Sequence, residues 1–279
     1  MSTLIQQLEG RISDWASEES AIRAVLVVGS RARHADHPAD EWSDLDLMLF
    51  CTDFAPYLAD RSWLRQFGTL WVCVPEDGNE SELFAVYEGG CKADLAFHLL
   101  DELRGFQPQR SYRVLIDKDG LAAQLPPPPS VPRRVVPPTQ ESFEAAVETF
   151  WYEAMQVAKF IRRRELWSVK AHDHLLKKHL LALLDWHACA VQGPELDTWH
   201  GGRFMRDWVD PQTWAELHHT FGQFDAADSW SALLASMALF HRLATDTAHR
   251  LNLIYPALVE ERLRAWVRDL YESDRDLRA

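Results

Sequence analysis

Two small residues and three acids stand where phosphate chemistry could be done. Gly29-Ser30 is followed, after thirteen residues, by Asp44-Leu45-Asp46, and a third acid lies in Lys92-Ala93-Asp94-Leu95-Ala96-Phe97. Side chains alternate faces along a strand, so Asp44 and Asp46 project from one side, roughly 7 Å apart. Two carboxylates on one face are half of a magnesium site, because hard divalent cations take oxygen ligands and complete their shells with water and substrate phosphates. Gly29 lets backbone approach a phosphate closely, and Ser30 offers a hydroxyl and an N–H at the start of the segment 30–35, where a helix N-terminus would favour an anion. Arg31 and Arg33 add positive charge beside it. Asp94 could hold a metal, take a proton from an attacking hydroxyl, or do both in sequence.

Each piece has a bland alternative. A lone acid-x-acid arises readily in a chain with 42 acids, and Gly-Ser is a common turn dipeptide. The ordered combination carries the weight: buried strand, Gly-Ser, charged loop, acid-bearing strand, second acid-bearing strand.

The elements that must position these residues are readable from periodicity. Apolar positions at Leu4, Ile5, Leu8, Ile12 and Trp15 predict a helix over 3–18, and the run Ala24 to Val28 predicts a buried strand ending at Gly29. A second strand is expected from Asp44 to Cys51, with further ones at 69–74, 83–87, 91–99 and 112–116 and helices at 57–67 and 99–105. Seven of the fourteen prolines fall within 126–138, a stretch that resists both helix and central strand and reads as a linker. Beyond it, Phe143, Val147, Phe150, Trp151, Ala154, Val157, Ala158 and Ile161 form one helical stripe behind a Thr139 cap. Helical spacing recurs at 175–191, 211–221, 229–254 and 257–272, and eight of the twelve tryptophans lie past residue 150. The expected architecture is therefore α+β: a sheet domain at 1–125, a linker at 126–138 and a Trp-rich helical bundle at 139–279.

Composition removes other readings. The formal charge of −13 repels long nucleic acids. Cys51, Cys73, Cys91 and Cys189 contain no CxxC pair, which disfavours a zinc knuckle or disulfide scaffold and points to reduced thiols in a cytoplasm. No signal peptide is apparent, and no apolar run reaches the ~20 residues needed to span a bilayer. His172, His174 and His179 do not share one helix face, so a zinc site there is not expected.

The pattern G-S-R-A-x(10)-S-D-L-D-L, with Asp40-Glu41-Trp42 ahead of the paired acids, resembles the nucleotidyltransferase motif of the polymerase-β-like superfamily, and in particular the aminoglycoside 6-adenylyltransferases, also called streptomycin adenylyltransferases. The likeness extends over nearly the whole chain. It takes in Trp63-Leu64-x-x-Phe67-Gly68, Lys92-x-Asp94-Leu95, the run 114–120, Phe150-Trp151 with Ala158-Lys159, Asp173-His174, Trp186-His187, Gly201-Gly202-Arg203-Phe204-Met205 and Ala238-Leu239-Phe240.

The resemblance implies a polymerase-β-like nucleotidyltransferase domain with a mixed sheet, a C-terminal helical domain, and ATP with magnesium, two ions expected, in the cleft between them. AMP would pass from ATP to a hydroxyl of a small polycationic aminoglycoside, releasing pyrophosphate. Asp44 and Asp46 would hold the metals and Asp94 would be third ligand or general base. Gly29, Ser30, Arg31 and Ser43 would cradle the triphosphate. Lys177 is a candidate for phosphate contact against the alternative of a solvated surface charge. Glu88, Glu148 and Trp151 are candidates for the acceptor, with turn-capping the bland reading of Glu88 and core packing that of Trp151. Glu148-Thr149 stands where Asn-Glu is expected, and Lys177-Lys178 where a basic residue precedes a proline, departures that bear on specificity more than on chemistry. A different hydroxyl acceptor, or an ATP-binding module without turnover, are the competing readings.

Overall fold

Ile22–Val27 (β1) and Leu45–Cys51 (β2) are nearly continuous apolar runs, and such runs satisfy both faces only in the interior of a sheet. A computed structural model of the chain describes residues 2–33, 37–128, 135–199 and 201–276. In it, β1 and β2 join Leu70–Glu76 (β3), Asn79–Tyr87 (β4), Cys91–Leu99 (β5) and Arg113–Asp117 (β6) in one sheet of order β3-β4-β5-β2-β1-β6. The sheet is mixed: β2 runs parallel to β5, and the other neighbouring pairs are antiparallel.

Alternation along the parallel pair decides what each face carries. Leu45, Leu47 and Leu49 of β2 and Ala93, Leu95 and Phe97 of β5 are buried on one face, in a core completed by Ile5, Leu8, Ile12 and Ala16 of the first helix, Ser2–Glu18 (α1). Trp15 of α1 stacks on Trp63 at 4.6 Å within that core. Asp46 and Asp94 therefore fall on the opposite face. The apolar part of that second face is closed by Phe50, Leu26 and Leu103, the last from the helix Leu100–Arg104 (α3).

Two expected elements differ. The helix predicted over 57–67 is a short helix Ala55–Ala59 (α2) followed by a 3₁₀ segment Ser62–Phe67. The break falls where Asp60 accepts from the backbone N–H and hydroxyl of Ser62, a local bond that competes with helix continuation. The expected helix from Ser30 is a single 3₁₀ turn, Gly29–Ala32, and Ala35 lies outside the described residues.

The chain divides into two compact units, Met1–Ser130 and Val131–Ala279. Of the proline stretch 126–138, residues 129–134 lie outside the described residues. The second unit is helical: Gln140–Arg162 (α4), Leu166–Gln192 (α5), Met205–Trp208 (α6), Pro211–Leu217 (α7), Ala226–Leu251 (α8) and Ala257–Asp276 (α9). Thr139 caps α4 by accepting from Ser142 N at 3.2 Å. All eight stripe residues of α4 are buried, and Phe150 stacks on Phe240 of α8 with ring centroids 3.6 Å apart. Among the described residues no helix is long and apolar enough to cross a membrane.

Candidate active site

Gly29 turns the chain at φ +65°, a left-handed value that favours glycine. The turn also needs the missing side chain, because a Cβ on Gly29 would stand 2.0 Å from Asp46 Oδ2. The end of β1 is held to β2 by a bond from Val28 N to Asp46 O at 2.9 Å. The Gly-Ser turn and the second acid of the pair are thus pressed against each other. Ser30 is buried in the turn.

Asp44 stands just before β2 rather than inside it, and its loop is pinned from the turn. Arg31 donates from Nε to Asp44 O at 3.0 Å and from an Nη to Ser43 O at 2.7 Å. Ser43 Oγ donates to Asp40 Oδ1 and accepts from Asp40 N, closing the loop that presents the exposed Trp42. Arg31 and Ser43, expected to cradle a triphosphate, are in this structure committed to the backbone and side chains that shape the loop.

The third acid joins the first two by register. Asp46 and Asp94 are Cα partners on parallel strands, so alternation places both side chains on the same face. Lys92, two residues before Asp94 on that face, lies with Nζ 3.2 Å from Asp44 Oδ2 and 2.8 Å from both Asp94 oxygens. It donates in good geometry to Oδ2. Asp94 Oδ1 is buried and accepts no hydrogen bond from the described residues. Burial raises the Asp94 pKa, and the neighbouring Asp44 and Glu76 add to the rise against the opposing pull of Lys92.

Two acids that sequence reasoning missed extend this face. Phe84 pairs with Asp94 and Glu82 with Ala96 across β4 and β5, so Glu82 shares the face of the three aspartates. Asn79 Nδ2 bridges it to Glu76 at 3.3 and 3.2 Å. Burial, Glu76, Asp94 and Asp46 together push the Glu82 carboxyl up to about 7. Only the strand register reveals Glu82, whereas the Lys92–Asp94 spacing was visible in the sequence.

The donor set fits a hard cation in kind: oxygen ligands from three carboxylates, one of them carrying a buried oxygen that accepts no hydrogen bond and faces only the Lys92 ammonium. Among the described residues no group of three His, Cys, Asp or Glu side chains is closed up as a metal cage, and the Lys92 ammonium lies among the oxygens instead.

The remaining expected residues are placed differently. Glu88 is exposed and lines a cavity of about 490 Å³ with Arg11, Thr69 and Tyr87. A second cavity, about 140 Å³, lies between Asp44, Glu41, Trp42 and Lys92. Lys177 is not a solvated surface charge: its side chain is 11% exposed, pairs with Asp173 at 2.7 Å and reaches Ser236 Oγ at 3.1 Å. It lines a cavity of about 510 Å³ in the helical unit with Lys178, His174 and Trp214. Glu148 is exposed on α4. Of the two readings of Trp151, a saccharide platform or core packing, the structure has the second: it is wholly buried, edge-on to Phe150 with Arg264 over its ring. His172 is bonded to the buried Glu153 at 2.7 Å and stacked on Phe160, a packing role.

Residues 4–270 match the model of the streptomycin adenylyltransferase family. An aminoglycoside 6-adenylyltransferase of Campylobacter jejuni is 28% identical over 92% of this chain and 92% of its own length. Proteins of the same name from Bacillus subtilis (strain 168) and Staphylococcus aureus are 25% and 24% identical, over 90% and 94% of this chain and 92% and 96% of theirs. A crystal structure of an aminoglycoside 6-adenyltransferase from Bacillus subtilis matches 95% of this chain and 98% of that one at 21% identity, with a TM-score of 0.47. With the family match running through both the Gly-Ser turn and the three acids, the chain belongs to the streptomycin adenylyltransferase family.

Proposed function

We propose that this protein transfers AMP from ATP to a hydroxyl of a small polycationic aminoglycoside of the streptomycin kind and releases pyrophosphate. The observation that carries the reading is the pairing of Asp46 with Asp94 on one sheet face beside the Gly29-Ser30 turn, with Asp44 just ahead of β2 and joined to Asp94 through Lys92. Asp44, Asp46 and Asp94 would hold two magnesium ions. Bound there, the ions would neutralise triphosphate charge and favour attack at the α-phosphorus. Gly29 and Ser30 give the phosphates close access to backbone, and Arg31 supplies positive charge while holding the loop before Asp44.

In the transfer, the acceptor oxygen forms a bond to the α-phosphorus as the bond to the pyrophosphate oxygen breaks in line with it. The hydroxyl proton goes to a base on the protein. Asp94 is the base this reading assigns, on the sheet face it shares with Asp46. The acceptor's cationic groups are met by acid near the site: Glu41 at the 140 Å³ cavity, and Glu82 with Glu76 on the sheet face. A net charge of −13 adds a general attraction for a polycation.

The test is transfer of label from α-labelled ATP to streptomycin, with Asp46→Asn as control. Label appearing in streptomycin with the wild type and not with the variant supports the reading. Pyrophosphate release with no labelled product across a panel of aminoglycosides would reassign the acceptor, and nucleotide binding with no pyrophosphate release for any acceptor would reject the reaction.

A further inference from the structure

We propose that Lys92 is the resident counter-ion of the acidic site, holding Asp44 and Asp94 together when no divalent cation is bound and giving way when one binds. The inference rests on the proposed metal-dependent transfer, and it adds a role for a residue that reading does not use.

The geometry is that of a cation already seated among ligand oxygens. One ammonium lies 2.8 Å from both Asp94 oxygens and 3.2 Å from Asp44 Oδ2. It is the cation that joins Asp44, in the loop before β2, to Asp94 of β5, two carboxylates that would otherwise repel each other. A magnesium ion sits about 2.1 Å from its oxygens, so a metal on these carboxylates and an ammonium in its present place would be like charges competing for the same lone pairs. One of them must leave.

Lys92 has the means to leave. Its backbone is fixed at the start of β5, where it pairs with Val86 of β4, but its stem is long, and the residue lines the 140 Å³ cavity bounded by Glu41, Trp42 and Asp44. Phe84, 4.5 Å from Nζ, offers a ring face that continues to attract the charge as it withdraws. The consequence is a site that resists capturing a bare cation. A triphosphate brings negative charge of its own and restores the balance, so metal and nucleotide should enter together.

The experiment measures Mn²⁺ binding by electron paramagnetic resonance on the full chain, without nucleotide and then with ATP. The variants are Lys92→Met and Lys92→Gln, each checked for fold by circular dichroism. Removing the competing charge should tighten nucleotide-free Mn²⁺ binding by about tenfold, a figure discounted for the partial exposure of the pair. A purely structural lysine would give equal or weaker binding in both variants, and that result overturns the inference while leaving the metal reading intact, provided the wild type binds Mn²⁺ in the presence of ATP. No binding by the wild type even with ATP removes both. A second readout needs no variant: amine labelling of Lys92, followed by peptide mass spectrometry, should rise severalfold in saturating Mn²⁺ as the ammonium is released. An unchanged or slower rate counts against it.

Discussion

Asp46 and Asp94 are direct Cα partners on the parallel strands β2 and β5, so a single register places on one face two carboxylates that are 48 positions apart in the chain. A one-residue slip of either strand would turn its acid toward the leucine-rich core and separate the two. The leucines that alternate with them are therefore part of what builds the site. Replacing any of Asp44, Asp46 or Asp94 by Asn keeps the shape and removes the charge. AMP transfer should fall about a thousandfold or more, the scale of losing several kcal/mol of charge stabilisation at the transition state. Thermal midpoints should stay near wild type. Transfer that survives within a few-fold in all three variants would mean that these acids do not carry the reaction.

Gly29 is the one position where the turn cannot accept a side chain. Gly29→Ala puts a Cβ 2.0 Å from Asp46 Oδ2 and keeps a left-handed φ, at a cost of about 2 kcal/mol or more. Urea unfolding should show that loss, and transfer should drop because Asp46 must move aside. Gly10→Ala is the matched control. Gly10 lies inside α1 with nothing within 4 Å of its added Cβ, so the same substitution there should stabilise by about 0.5–1 kcal/mol and leave transfer unchanged.

These relationships mark how far the sequence could be read. The strands were legible because β1 and β2 are almost unbroken apolar runs, and the stripe from Phe143 to Ile161 was legible because its period is helical. Asp46 and Asp94 were legible because they interrupt strand-like runs, and Asp44 because it stands one residue ahead of such a run. Glu82 was not, since its nearness to Asp94 depends on how β4 pairs with β5, a long-range choice that local pattern does not encode. Arg31 follows Gly29-Ser30 in the sequence itself, but its bonds to the carbonyls of Ser43 and Asp44 depend on a loop path that spacing alone leaves open. Lys177 and Trp151 show the limit from the other side: a lysine on a helix and a tryptophan in a stripe become buried or exposed only when the neighbouring helices are placed.

Glu82 gives the acidic face a pH signature. Its carboxyl is raised from 4.5 to about 7, first by burial and then by Glu76, Asp94 and Asp46. An acid raised in the folded state penalises folding once it must ionise. The penalty is absent below about 4.5, grows as pH rises through about 7, and is complete above it. Glu82→Gln removes the penalty, so the variant should match wild type near pH 4 and exceed it at pH 8. After discounting for the solvent that reaches the group, the gain should be about 1 kcal/mol. Chemical denaturation at both pH values measures it, and a variant less stable than wild type at pH 8 would contradict the assigned shift.

Trp151 separates packing from recognition. The ring is fully buried among α4, α8 and α9 side chains, and its Nε1 reaches Tyr255 Oη at 3.5 Å. Trp151→Phe keeps an aromatic in the core, loses that contact and leaves a small void, for a cost of roughly 1–2 kcal/mol. Trp151→Ala should cost about 3–5 kcal/mol. If the residue only packs, the KM for streptomycin in the Phe variant should stay within about twofold of wild type, because no stacking surface has been removed. A rise in KM of an order of magnitude, with stability lowered no more than expected, would mean that helices α4 and α9 open to admit the acceptor against this ring, and the core assignment would have to be withdrawn.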